Sequence, residues 1–197
     1  MSRAPVAAAR AAWILERLGR ATFLDSTCGV GGDSVALAAA GHRAISMDRD
    51  FGSALCASEN LRALALTDLT LVGDACRPPF RAPPADVLLL DPDRRPRGTR
   101  SPEPESWSPP LASALAQAAR YRGACVKLPP GLDPAVLPAG FAKLGATAGG
   151  ALPGSLAWSL EWVEVDRELC EVALWTGELA RGPSDVHSAL ALDSAPP

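Results

Sequence analysis

Four short apolar runs in the first half of this chain each end on an aspartate: ATFLD (21–25), RAISMD (43–48), DLTLVGD (68–74) and ADVLLLD (85–91). Between them lie segments of helical length, DSVALAAAG (33–41), stopped by Gly41, and FGSALCASENLRALAL (51–66). LASALAQAARYRG (111–123) is a further helix and ACVKL (124–128) a fifth strand. Strands that are apolar throughout must be covered on both faces. Their alternation with helices therefore predicts a mostly parallel sheet in an α/β domain.

The second half changes rhythm. From about residue 132 the chain is rich in glycine and proline; then SLAWSLEWVEVD (155–166) and ELCEVALWTGEL (168–179) follow with almost nothing between them. So short a connection joins antiparallel neighbours, which makes these runs a hairpin. Trp158, Trp162 and Trp175 recur along it at strand-like spacing, as core or edge cover. Ahead of the first strand, residues 4–19 read as a helix packing through Val6, Ala9, Trp13, Leu15 and Leu18. The last stretch, RGPSDVHSALALDSAPP, reads as a fraying tail. The expected organisation is one domain over residues 1–181 and a tail over 182–197.

Composition narrows the function classes. With 197 residues, 48% apolar and 21% charged, the chain is globular and long enough for a full core. A net charge of −3 excludes a blanket electrostatic grip on nucleic acid, so any anion-binding surface is local. Five scattered cysteines and two histidines supply neither a zinc site nor a disulfide framework, which points to a reduced cytoplasmic setting without a metal. No apolar run reaches the roughly 20 residues of a membrane span. The Ala- and Arg-rich start holds Glu16 and runs straight into a strand, unlike a transit peptide.

In an open α/β sheet, ligands bind at the carboxyl ends of the strands. The first end continues as LDSTCGVGGDS, where Gly29, Gly31 and Gly32 allow a tight turn and a close approach. A dinucleotide loop would carry a third glycine where Ser34 stands, so that match fails. The D-x-x-x-G-x-G arrangement beginning at Asp25 instead resembles the S-adenosylmethionine (SAM) loop of class I methyltransferases, in which the acid meets a cationic amino group. Asp48 stands where a ribose-binding acid belongs, with Asp50 the better candidate to cap the next helix. Asp74 is placed to accept from the adenine amino group. Cys28, Asp33, Arg49 and Ala75 adjoin these positions and complete the expected cofactor set; Cys28 is not a nucleophile here.

Longer stretches extend the resemblance. TCGVGGDS, DPDRR-x-R-G-x-R, VKLPPGLDP and LEWVEVD-x-ELCEVALWTGEL, spanning about residues 22–181, resemble the bacterial class I methyltransferases that carry a THUMP-like C-terminal domain. The resemblance implies a Rossmann-like sheet of seven strands with the hairpin as its last two, SAM as cofactor and an RNA substrate. The THUMP-like module itself has no counterpart in the residues read here.

The fourth strand leads into DPDRRPRGTR. Class I enzymes that methylate exocyclic amines of bases commonly place Asp/Asn-Pro-Pro-aromatic at this point, where the acid and a backbone carbonyl accept the amine protons. Asp91 and Pro92 fit that pattern; Asp93 and Arg94 replace its second proline and its aromatic. The expected acceptor site is thus Asp91 and Pro92, with Arg94, Arg95, Arg97 and Arg100 on substrate phosphate and Trp107 stacking in place of the missing ring. A salt-bridged surface loop is the plainer role for these arginines. Lys127, in VKLPPG, is a second anion contact or a lysine whose stem is buried. The favoured function is RNA methylation at a base nitrogen of rRNA or tRNA. A small-molecule methyltransferase and a SAM-binding scaffold without turnover are the alternatives.

Overall fold

The computed structural model of the chain describes residues 3–66, 68–95, 98–99, 101–137, 156–182 and 186–193. The acid-tipped runs are strands β1 (Thr22–Asp25), β2 (Arg43–Asp48), β3 (Asp68–Val72) and β4 (Val87–Leu90), followed by β5 (Gly123–Leu128). All five are parallel, in the spatial order β3-β2-β1-β4-β5. β1 lies between β2 and β4, so the order reverses there and a crevice opens beyond the strand ends.

The hairpin forms as expected. β6 (Trp158–Val165) and β7 (Glu168–Gly177) pair antiparallel, with β7 inserted beside β5. Asp166 and Arg167 turn between them with φ of 51° and 66°, the left-handed pair that a two-residue turn between twisted strands requires.

Residues 182–197, expected to fray, instead contribute an eighth strand. β8 (Val186–Leu192) lies parallel along β6. Ser188, Leu190 and Leu192 are half-buried and alternate with exposed His187, Ala189 and Ala191, and the two leucines pack on Val6, Val163 and Val165. The period-2 signal is faint because two of the three outward residues are alanine.

Both faces of the sheet are covered, as its all-apolar strands demand. In β4, Val87 and Leu89 face α1 (Ala4–Leu18) and α2 (Gly32–Ala39), together with Ile14, Leu37 and Trp175. Leu88 and Leu90 face the opposite layer, with Leu111 and Leu115 of α4 (Leu111–Ala118). A third helix, α3 (Phe51–Ala63), follows β2. The buried side of α1 is Val6, Ala7, Arg10, Ala11 and Ile14, not the stripe expected from apolarity; Leu15 is exposed. Trp158 and Trp175 are buried and Trp162 half-buried, as core and cover. Among the described residues no helix is long and apolar enough to cross a membrane.

Gly177 closes β7 with φ of 63°, and a Cβ there would lie 2.4 Å from the Arg122 carbonyl oxygen. Strain and overlap act together, so Gly177→Ala should destabilise the fold by about 2–4 kcal/mol in urea denaturation.

Candidate functional site

A crevice of about 260 Å³ opens at the carboxyl ends of the strands. Ser26 and Thr27 line it from the end of β1, Asp48, Arg49 and Asp50 from β2, Asp74 and Ala75 from β3, and Asp91, Asp93 and Ser108 from β4 and its loop. Five of these ten residues are aspartates and one is an arginine. The wall is therefore acidic, and within it the charges also brace the loops.

Asp48 holds the glycine loop. Its Oδ2 accepts from the Gly29 N–H at 2.8 Å, and its Oδ1 accepts from the Asp50 N–H at 2.9 Å. The Cys28 N–H donates to the Met47 carbonyl, which fastens the other side of the loop to β2. Gly31 precedes α2 with φ of 86°, and a Cβ there would meet the Cα and Cβ of Ala57 at 3.0 Å. Gly32 opens the helix. Asp50 caps α3, accepting from the Ser53 N–H at 2.7 Å, as expected for it. Asp74 accepts from the Cys76 N–H at 2.8 Å. Ala75 is buried, and its carbonyl accepts from Gln117.

Of the expected cofactor residues, Asp25, Cys28, Gly29, Gly31, Gly32 and Asp33 do not line the crevice. Asp25 is buried and accepts from the Ser34 hydroxyl at 2.7 Å; Ser34 in turn accepts from Ser46. Burial, and then the Asp33 charge, push the Asp25 carboxyl up to about 7, against the pull of Lys127, Ser34 and Arg10. Asp33 is buried and ion-paired with Arg10 and Lys127. Cys28 is also buried.

The acceptor segment is pinned at both ends. The Asp91 N–H donates to Thr27 Oγ1 at 2.7 Å, and Pro92 behind it is buried. Asp93 and Ser108 exchange backbone hydrogen bonds, so the intervening loop leaves and returns at one point. Arg49 reaches across from β2 to that point, 3.1 Å from Asp93 Oδ2 and 3.0 Å from Ser108 Oγ. Arg49 is thus a clasp between two strand ends as well as a lining residue.

The substrate residues divide. The backbone of Arg95 donates to Asp93 Oδ1, and its side chain belongs to an exposed residue. Arg94 borders a second crevice of about 500 Å³, lined otherwise by Trp107, Leu132, Asp133, Val136 and prolines of the loops after β4 and β5. Arg97 and Arg100 fall outside the described residues. Trp107 is buried and donates its Nε1–H to the Ser101 carbonyl, so it is a post for the loop, not an open face for stacking. Lys127 does not stand on the rim as an anion contact; its ammonium is buried between Asp33 and Asp91. Arg10 and Glu171, which complete that buried cluster, carried no motif signal. Arg10 could have been noticed only as a charge sharing the i, i+4 face of Val6 and Ile14. Among the described residues no group of three or more His, Cys, Asp or Glu is arranged to hold a metal ion.

No protein-family model and no curated protein sequence matches the chain. Solved structures do. A Listeria monocytogenes protein assigned to the class I SAM-dependent methyltransferases aligns with TM-score 0.69 and 14% identity over 96% of this chain and 65% of its own. The Thermus thermophilus 16S rRNA N2 G1207 methyltransferase, solved with AdoMet and guanosine, aligns with TM-score 0.58 and 19% identity over 90% of this chain and 43% of its own. Magnesium protoporphyrin IX methyltransferase of Synechocystis, solved with SAM, gives TM-score 0.63 and 14% identity over 88% and 79%. The chain has the class I methyltransferase fold, and it spans less than two-thirds of the first two of these proteins.

Asp25 gives the fold a pH dependence of definite sign. Its carboxyl rises from 3.8 to about 7 on folding, so in that window the native state holds a proton the unfolded chain has released. The associated stability is complete below about pH 4 and is lost as pH approaches 7. Urea midpoints should fall across this window in the wild type, and Asp25→Asn should flatten that part of the profile.

Proposed function

We propose that this chain is a SAM-dependent methyltransferase whose acceptor is a base nitrogen of RNA. The observation that carries the reading is the charge of the crevice: five aspartates against one arginine that is itself engaged with Asp93. Such a wall repels the pyrophosphate of a dinucleotide and attracts a sulfonium and an ammonium group. It lies at the strand ends of a fold whose neighbours include two structures holding SAM.

On this reading Asp48 accepts from the ribose hydroxyls and Asp74 from the adenine amino group, with Arg49 and Ala75 beside them. Of the glycine turn, Gly29, where a Cβ would find open space, is the position that leaves room for a ligand's approach, while Gly31 makes room for Ala57. Asp25 stands behind the wall with its carboxyl pushed up to about 7, and a cationic ligand in the crevice would favour its ionised form. When bound, the cofactor supplies an electrophilic methyl group on sulfur. Asp91 and a carbonyl at Pro92 accept the protons of the acceptor amine and so orient its lone pair. Displacement at a methyl carbon depends on alignment more than on proton transfer, which suits a site whose lining contains no histidine.

RNA as the acceptor draws support from the guanosine-bound rRNA methyltransferase among the structural neighbours. The acidic wall would keep phosphates out and admit only a base, leaving Arg94 and Arg95 to meet the backbone outside. That acidity also favours a second reading, a small uncharged or cationic acceptor, in line with the porphyrin methyltransferase neighbour.

Calorimetry with S-adenosylhomocysteine should give one site per chain, and Asp48→Ala should weaken it by about tenfold or more, roughly 1.4 kcal/mol. NAD should neither bind nor compete. Label from methyl-labelled SAM should pass to unmodified rRNA or tRNA transcripts; label confined to small metabolites would select the second reading. If Arg95 holds a phosphate, Arg95→Ala should reduce the slope of log affinity against log salt by about 0.7–0.9. An unchanged slope removes it from the RNA contact.

A further inference from the structure

One chain of charges runs from the crevice into the interior of the fold. The Lys127 side chain on β5 is 9% exposed, and its Nζ lies 2.5 Å from Asp33 Oδ2 and 3.4 Å from Asp91 Oδ2. Asp33, in the first turn of α2, is also bound by Arg10 of α1, whose side chain is 2% exposed. Arg10 in turn binds Glu171 of β7. Charges thus alternate along Glu171, Arg10, Asp33, Lys127 and Asp91. Of these only Asp91, with its side chain 40% exposed, lines the crevice.

An ammonium so deeply buried would shed its proton without partners. Against that burial, the charges of Asp91 and Asp33 raise the Lys127 pKa above its ordinary value, so the group is a cation at neutral pH. Its two contacts differ in kind. The contact to Asp33 is short and lies between two side chains that are each at most 10% exposed, and Arg10 locks Asp33 in turn. That arrangement makes Asp33 the anchor and Asp91 the group being held. Thr27 fixes the Asp91 backbone and Lys127 takes one carboxylate oxygen, while the other has no hydrogen-bond partner among the described residues and can meet a donor in the crevice.

We propose that Lys127 is the positioning residue of the acceptor site: anchored by Asp33 and Arg10, it fixes the Asp91 carboxylate, and α1 thereby belongs to the working site. The proposal rests on Asp91 being the acid that meets the acceptor. A lysine that merely neutralised Asp33 would give the same burial but no dependence of Asp91 on it.

Two measurements decide the matter. In label transfer to rRNA and tRNA transcripts, Lys127→Met should lower kcat by about 30-fold with KM little changed, because orientation and not binding is lost. Its S-adenosylhomocysteine affinity should stay within about twofold, since Asp48 and Asp74 are untouched. Lys127→Arg should recover part of kcat, and Arg10→Met should lower it less than Lys127→Met does. A parallel fall in cofactor affinity would overturn the proposal. The second measurement needs no acceptor: urea midpoints of the wild type, Lys127→Met, Asp91→Asn and the double variant. Lys127→Met should lower the midpoint less in the Asp91→Asn background, and equal losses in both backgrounds would overturn the proposal. Should Lys127→Met fail to fold, Lys127→Gln takes its place in the same cycle. A wild type that binds no S-adenosylhomocysteine and transfers no label defeats the methyltransferase reading, while the cycle still decides whether Lys127 and Asp91 are coupled.

Discussion

Charge buried beneath the carboxyl edge of the sheet constrains much of the rest, because an ion removed from water must find its counter-ion inside the fold. Arg10 sits on the apolar side of α1 between Val6 and Ile14, so α1 can dock only where Asp33 and Glu171 meet it. Lys127 has the same requirement from the other side. Ion pairs of this kind add little net stability compared with a well-packed apolar core, yet a misplaced helix would strand a charge at a cost of several kcal/mol. What they supply is a single permitted geometry for α1, α2, β5 and β7 around the strand ends.

The aspartates of the crevice do two kinds of work with one functional group. Asp48, Asp50, Asp74 and Asp93 each accept from a backbone N–H of a neighbouring turn, and all four also line the crevice. A carboxylate oxygen has more than one lone pair, so bracing a loop does not exhaust it. The capping role and the ligand role, which compete when one reads a sequence, therefore coexist at the same residue. Loops held in this way are organised before any ligand arrives, which reduces the ordering cost of binding.

Local signals were legible in the sequence and remote pairings were not. The parallel strands could be placed because their apolar runs are unbroken, and the hairpin because Asp166 and Arg167 leave no room for a crossover. The same boundaries put Asp48, Asp74 and Asp91 at the carboxyl edge of the sheet, where all three line the crevice. Asp25 and Asp33 fit the motif, but their direction depends on Ser34, Arg10 and Lys127, partners set by packing. Lys127 lies 94 residues from Asp33, and no periodicity links them. Trp107, expected to stack on a base, is instead buried, with its Nε1–H donated to the Ser101 carbonyl, a pairing that no local pattern marks. The eighth strand was missed because its alternation is between leucine and alanine, a contrast too small to separate from a polar tail.

The direction of β8 carries a geometric consequence. Since β7 is antiparallel to both β5 and β6, and β8 runs with β6, β8 points the same way as β1 to β5. Its final residues therefore emerge on the rim that holds Asp48 and Asp91. Four inter-strand steps separate β8 from β4 in the sheet order, about 19 Å at ordinary spacing. Polypeptide grafted beyond Leu192 would set out from the crevice side of the sheet, near enough for a compact appended module to overhang the opening.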